Sequence, residues 1–323
     1  MRKSFDQRPI AGLTFLAIFA IPLPVEAADN KAGDQNSAGP AYLLRYRFQQ
    51  DEVLHYQVDH ETSMTTTTPQ HAEKVSTTAH SKKNHRVVDL DSKGNATLEL
   101  MIESARMSAQ FGDEKPKVFD SRNPKDCPPV YSHMKAIIGQ PLARVQVSPR
   151  GELLATRPQL PHAVLAKANL VKKDGSLSNE AAQNFLIEFP EEALKIGAGW
   201  TNTFKVKVQV SPRLSQNVTF QRSYELTEVR GNLATIRMWT DLITPIGDGA
   251  ILAQLIQMTP KAEIVFDLEN GRIVSRTLTV DKTEVGVING GGSMQAKSKR
   301  VERWIDPKAE TGDASKDEKQ AAR

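Results

Sequence analysis

The tightest constraint on this chain is the spacing of its apolar residues, which recur at every second position in stretch after stretch. "TLELMIESA" puts Leu98, Leu100 and Ile102 on one face, with Thr97, Glu99 and Glu103 opposite. "LATIRMWTDL" sets Ala234, Ile236, Met238 and Leu242 against Arg237, Trp239 and Asp241. "TFKVKVQV" and "VTFQRSYELTEV" alternate in the same way, and the Thr-rich stretch 62–78 favours extended chain. A period of two belongs to strands with one buried and one wet face. Such strands pair antiparallel, because buried parallel strands read as continuous apolar runs.

Two phrases occur twice and in the same order. "DSKGNATLELM" (91–101) is matched by "VRGNLATIRMW" (229–239), and "VQVSPRGELLA" (145–155) by "VFDLENGRIVS" (265–275). In each, a glycine lets the chain take positive φ at a tight corner, which sets the register of the flanking strands. The pairing predicts an internal duplication, residues 41–158 and 197–305, with a longer first copy that carries an insertion near Cys127 and Tyr131. Chance recurrence of a common Gly-Asn hairpin is the alternative.

Helical spacing concentrates between these halves. "HAVLAKANLVKK" and "LSNEAAQNFLIEF" flank Gly175; Ser178 is a cap, and Ala182, Phe185, Leu186 and Phe189 form an apolar stripe. Residues 159–196 are therefore expected to be a helical connector, and Tyr131 to Ile138 a shorter helix. The fold class expected is α+β and strand-dominated: two curved antiparallel sheets of about five strands each, related by the repeat, with helices inserted between them.

The ends are unlike the body. Arg2, Lys3 and Arg8 precede an apolar run from Ile10 to Leu23, and Val25-Glu26-Ala27 offers a cleavage site. This is the pattern of a secretory signal peptide over 1–27, an uncleaved anchor being the alternative. Residues 28–40 read as a flexible leader and 306–323, without a large apolar side chain, as a disordered tail. No later stretch is long and apolar enough for a spanning helix, so no stable membrane span is expected after cleavage. The expected localisation is periplasmic or extracellular.

Cys127 is the single cysteine, so no internal disulfide forms and stability must come from a buried core. His133 is its nearest candidate base, and an inert thiol is the alternative. Loss of three cations and two anions with residues 1–27 takes the formal charge from +4 to +3. That is too small a surplus for a nucleic-acid partner. Lys297, Lys299, Arg300 and Arg303 split between two strand faces and read as solvated edge protection.

"LRYRFQQDEVLHYQVDHETSM", "IIGQPLARVQVSPRGELLA", "LKIGAGWTN" and "AEIVFDLENGRIVSRTLTV" together resemble a family of exported bacterial proteins catalogued only as a domain of unknown function. The resemblance implies export and a strand-rich, duplicated body, and supplies no catalytic residue. Paired curved sheets with helices between them are also similar in architecture to periplasmic lipoprotein carriers, which bind apolar ligands.

Motifs for chemistry are sparse. His55, His60, His71, His80 and His85 crowd into 31 residues, but the pairs 55/60 and 80/85 have odd offsets that send partners to opposite strand faces. No metal site and no cofactor is expected. There is no Gly-x-Ser-x-Gly elbow, no HExxH and no phosphate-binding loop; "NGGGS" at 289–293 reads as a hairpin loop. The acidic residues are many, but the sequence places no two in one cleft. Trp239 stands on an otherwise polar strand face, where it lines a ligand site or caps the core edge.

Two functional classes follow. The leading one is a non-enzymatic exported protein binding an apolar or envelope ligand through Leu98, Leu100, Ile102, Phe185, Phe189, Ile236, Met238 and Trp239. The other is a hydrolase with a dispersed site. The apolar residues are an open groove in the first reading and closed core otherwise. The sequence carries nothing on oligomeric state.

Overall fold

The computed structural model describes residues 39–168, 170, 186–211, 214–287 and 291–306. The expected signal peptide, most of the leader, the tail from 307, and Ser178, Ala182 and Phe185 lie outside these residues. In chain order the strands are β1 (Ala41–Tyr42), β2 (Val53–Thr67), β3 (Ala72–Leu90), β4 (Ala96–Phe111), β5 (Lys117–Asp120), β6 (Pro141–Val147) and β7 (Leu153–Pro158). They continue as β8 (Leu194–Lys195), β9 (Gly199–Ser211), β10 (Leu214–Arg230), β11 (Leu233–Leu242), β12 (Lys261–Asp267), β13 (Arg272–Val285) and β14 (Ser293–Ile305). Strands make up 59% and helix 11% of the described residues, so the protein is strand-dominated as the alternation requires.

Sheet organisation differs from expectation. The two halves are not two sheets of about five strands each. They join edge to edge in one large, curved and unclosed antiparallel sheet, ordered β7-β6-β4-β3-β2-β14-β13-β12-β11-β10-β9, with β5 paired to β4. The second sheet is only the ribbon β1-β8. The join is the β2-β14 ladder, which runs from Thr67 opposite Ser293 to His55 opposite Ile305. It saturates the backbone groups that each half would otherwise leave exposed at an edge. β14 is therefore interior, so the basic cluster from Lys297 to Arg303 is not edge protection.

The recurrent turns occupy matching places in strand order. Counted within the large sheet, Gly94 (φ 80°) joins the second strand of its half to the third, as Gly231 (φ 58°) does in the other. Gly151 (φ 86°) and Gly271 (φ 61°) have a further duty, because both grip the same length of chain. The Tyr46 N–H donates to the Pro149 carbonyl at 2.7 Å and the Arg47 N–H to that of Gly271 at 3.1 Å. A Cβ on Gly151 would collide with the Ile187 carbonyl and the Tyr46 ring, and one on Gly271 with the backbone of Arg45 and Arg47. The segment before β2 thus crosses between hairpin tips from both halves.

Short pieces cover the inner face of the sheet. Over the first half lie a 3₁₀ stretch (Pro129–Ala136) and α1 (His162–Lys167); over the second lie the β1-β8 ribbon and α2 (Gly249–Leu255). α2 is capped by Asp248, whose carboxylate accepts from the Ala250 N–H at 2.8 Å. The long connector helix is absent from the described residues: Leu186 to Pro190 are not helical. Pro190 disfavours the helical region at Phe189. The backbone donors there are also engaged elsewhere, with Ile187 N–H on the Tyr46 hydroxyl at 3.0 Å and Phe189 N–H on the Arg150 carbonyl at 2.8 Å.

Candidate functional site

The register of the large sheet places one parity of each strand on a single inner face. Leu98 lies between Val87 and Val145, and Leu100 between His85 and Ala143. Across the other half, Ile236 lies between Leu226 and Ile264, and Met238 between Tyr224 and Ala262. The residues expected to line a ligand site separate into two clusters. Leu98, Leu100 and Ile102, all wholly buried, pack with Val145, Met134 and Leu165. Ile236, Met238 and Phe189 pack with Tyr46, Trp200 and Phe266. Phe48 and Leu186 touch both clusters and bridge them. Phe189 sits at the centre of an aromatic group, its ring 4.9 Å from Phe266, 5.2 Å from Tyr46 and 6.1 Å from Trp200. Trp239, half-buried, has the opposite parity to Met238 and stands opposite Ser223, away from both clusters. Phe185 lies outside the described residues.

Between the clusters the inner face carries charge that sequence reasoning missed. Arg276 on β13 is directly opposite Glu302 on β14, and Lys83 on β3 reaches the same carboxylate from across β2. Glu302 Oε1 lies 3.0 Å from Lys83 Nζ; Oε2 lies 3.0 Å from Arg276 Nη2 and 3.5 Å from Arg300 Nη2. All four side chains are at most 8% exposed. Burial alone would raise the Glu302 carboxyl, but the three cations hold it well below the usual carboxylate range. Burial pulls Lys83 down to about 8 against the upward pull of Glu302. For Arg276 burial works downward and the Glu302 charge prevails, leaving it raised. The signal that could have found this group is parity. Arg276 shares the inward parity of Leu278 and Val280, as Arg300 and Glu302 share that of Ala296.

The histidines do not converge. His55 Nδ1 lies 2.9 Å from Glu103, whose Oε1 also accepts from Asn84 at 2.6 Å; His80 Nδ1 lies 2.8 Å from Asp59. His60 Nε2 is 2.9 Å from Ser298 Oγ on the inner face, where burial and then the Arg300 charge lower it to about 4. No cluster of three or more His, Cys, Asp or Glu side chains among the described residues has the placement for a metal ion. Cys127 packs at the margin of the first cluster, its thiol 3.5 Å from the Pro128 carbonyl.

A cavity of about 550 Å³ opens on the other face, lined by Asp51, Asp89, Arg86, Arg144 and Arg157 among others. Glu99 holds Arg86 at 3.0 Å and Arg144 at 2.8 Å beside it. This hollow, with its charged side chains, belongs to the solvent face of the sheet and not to the inner one.

No protein-family model matches the chain, and no curated protein matches it. The solved structures similar to it include these two. One, of lipid–protein interactions in lipovitellin, has a TM-score of 0.44 and 14% identity over 80% of this chain; the chain spans 26% of its length. The other, a DUF1329 family protein from Desulfovibrio piger, has a TM-score of 0.18 and 9% identity, covering 79% of this chain and 85% of that one. Likenesses at these scores say nothing of what this chain binds. No helix among the described residues is long and apolar enough to cross a membrane.

Proposed function

We propose that the chain is a non-enzymatic, exported protein that binds an apolar ligand between the inner face of its sheet and the pieces that cover it. The observation that carries the reading is the mismatch between face and cover. The apolar face extends across both halves, yet among the described residues its cover is a two-residue-per-strand ribbon, helices of six and seven residues, an eight-residue 3₁₀ stretch and the irregular segment 186–190. Pieces this short hold few backbone bonds of their own and open more readily than the sheet. Lifting them exposes Leu98, Leu100, Ile102, Ile236 and Met238 without breaking a strand pair. Met238 adapts to the shape of a guest.

Titration of the purified chain with a fluorescent fatty acid tests this. Saturable binding supports it, and absence of binding leaves these residues as core. N-terminal sequencing of the exported chain tests cleavage after Ala27. With β5 set aside as off the path of the large sheet, the Gly94 and Gly231 turns agree in order, as do those at Gly151 and Gly271, which supports descent from a duplicated meander; poor superposition of β2–β7 on β9–β13 would refute it. The His55–Glu103 and His80–Asp59 pairs favour a hydrolase, and unchanged ester-hydrolysis rates in His55→Ala and His80→Ala remove that reading.

A further inference from the structure

Charge on the inner face is out of place by every rule that set the rest of that face. At the join of the two halves, three cations converge on the two oxygens of Glu302. Burying an ion pair is costly, and the cost is met only when the remaining donors and acceptors are satisfied as well. Arg276, 5% exposed, gives Nη2 to Glu302 while its Nε finds no acceptor. A guanidinium donor held in an apolar setting is suited to an oxyanion, because its hydrogen bonds to one are charge-assisted and directional. The apolar clusters flank this spot on both sides, so a ligand reaching it from either side passes over hydrocarbon-like surface.

We propose that the Arg276 cluster seats the oxyanion headgroup, a carboxylate or a phosphate monoester, of an amphiphile whose chain lies on the apolar inner face. This rests on the apolar-ligand reading and narrows it to anionic amphiphiles. Glu302 then acts as a positioning residue. It holds Lys83 and Arg276 in place and offsets the repulsion between them when the site is empty.

The test uses the whole purified chain, freed of lipid, and three probes: palmitate, hexadecanol and inorganic phosphate. Palmitate should displace a fluorescent fatty acid at about tenfold lower concentration than hexadecanol, the difference expected of one charged hydrogen-bonded contact. Arg276→Lys, which keeps the charge and loses the Nε donor, should shrink that ratio to about threefold or less while thermal unfolding stays cooperative. Equal binding of the acid and the alcohol overturns the headgroup site and leaves the apolar reading intact. If neither chain binds but phosphate raises the melting temperature of the wild type and not of Arg276→Lys, the oxyanion site holds and the apolar reading falls. No chain binding and no phosphate effect overturns both. Should Arg276→Lys fail to fold, the wild-type ratio of acid to alcohol decides.

Discussion

Arg276 and Glu302 face each other in direct register across β13 and β14, Nη2 to Oε2 at 3.0 Å, in the buried middle of the sheet. Removing the carboxylate strands three buried cations. Glu302→Gln is therefore expected to lower unfolding free energy by ~3–5 kcal/mol in urea denaturation. A loss under about 1 kcal/mol would mean that water reaches the group.

His60 should make the protein acid-sensitive. Its folded pKa is about 4 against 6.5 for the free side chain, so the unfolded chain binds the proton first as pH falls. Stability is then lost between pH 6.5 and pH 4 and the loss is constant below that. His85, held well below its ordinary value by burial, acts in the same sense. The His60 share is on the order of 2 kcal/mol. His60→Gln should flatten the plot of urea midpoint against pH across that window, and an unchanged slope would contradict the assignment.

Phe189 and Trp239 should part company. Phe189→Ala empties the centre of an aromatic cluster and is expected to cost ~3–5 kcal/mol. Trp239→Ala, half-buried on the other face, should cost clearly less. Comparable losses in chemical denaturation would refute this division of the two faces.

The four turn glycines should fall into two classes. Gly231→Ala meets nothing within 4 Å and suffers only backbone strain, about 1 kcal/mol. Gly271→Ala adds a collision with the backbone of Arg45 and Arg47, so it should be the more damaging by at least ~2 kcal/mol. Equal melting temperatures would remove the clamp on residues 44–48.

Local pattern made some of this legible and geometry hid the rest. Alternation disclosed the inward parity of Leu98, Leu100, Ile236 and Met238, and Gly-Asn corners disclosed where strands reverse, because both are properties of neighbouring residues. The β2-β14 join was hidden, since nothing in "HYQVDHETSM" specifies a partner at the far end of the chain. The buried charges were hidden because Arg300 and Glu302 look solvated unless their neighbours are known. Leu186 and Phe189 carried helical spacing, yet tertiary partners for the Ile187 and Phe189 backbone donors outweighed it.

The β2-β14 ladder also bears on how the protein is made. Its two strands are among the first and last of the sheet to leave the ribosome, and the ladder between them lies at the sheet's middle. Neither half can complete its inner face during synthesis, because Glu302 arrives long after Lys83. Folding is thus expected to be slow and to await the whole chain, as it does when the decisive contacts are remote in sequence. Until then β2 presents a naked edge, and a chain held unfolded during that interval is protected from pairing with its neighbours.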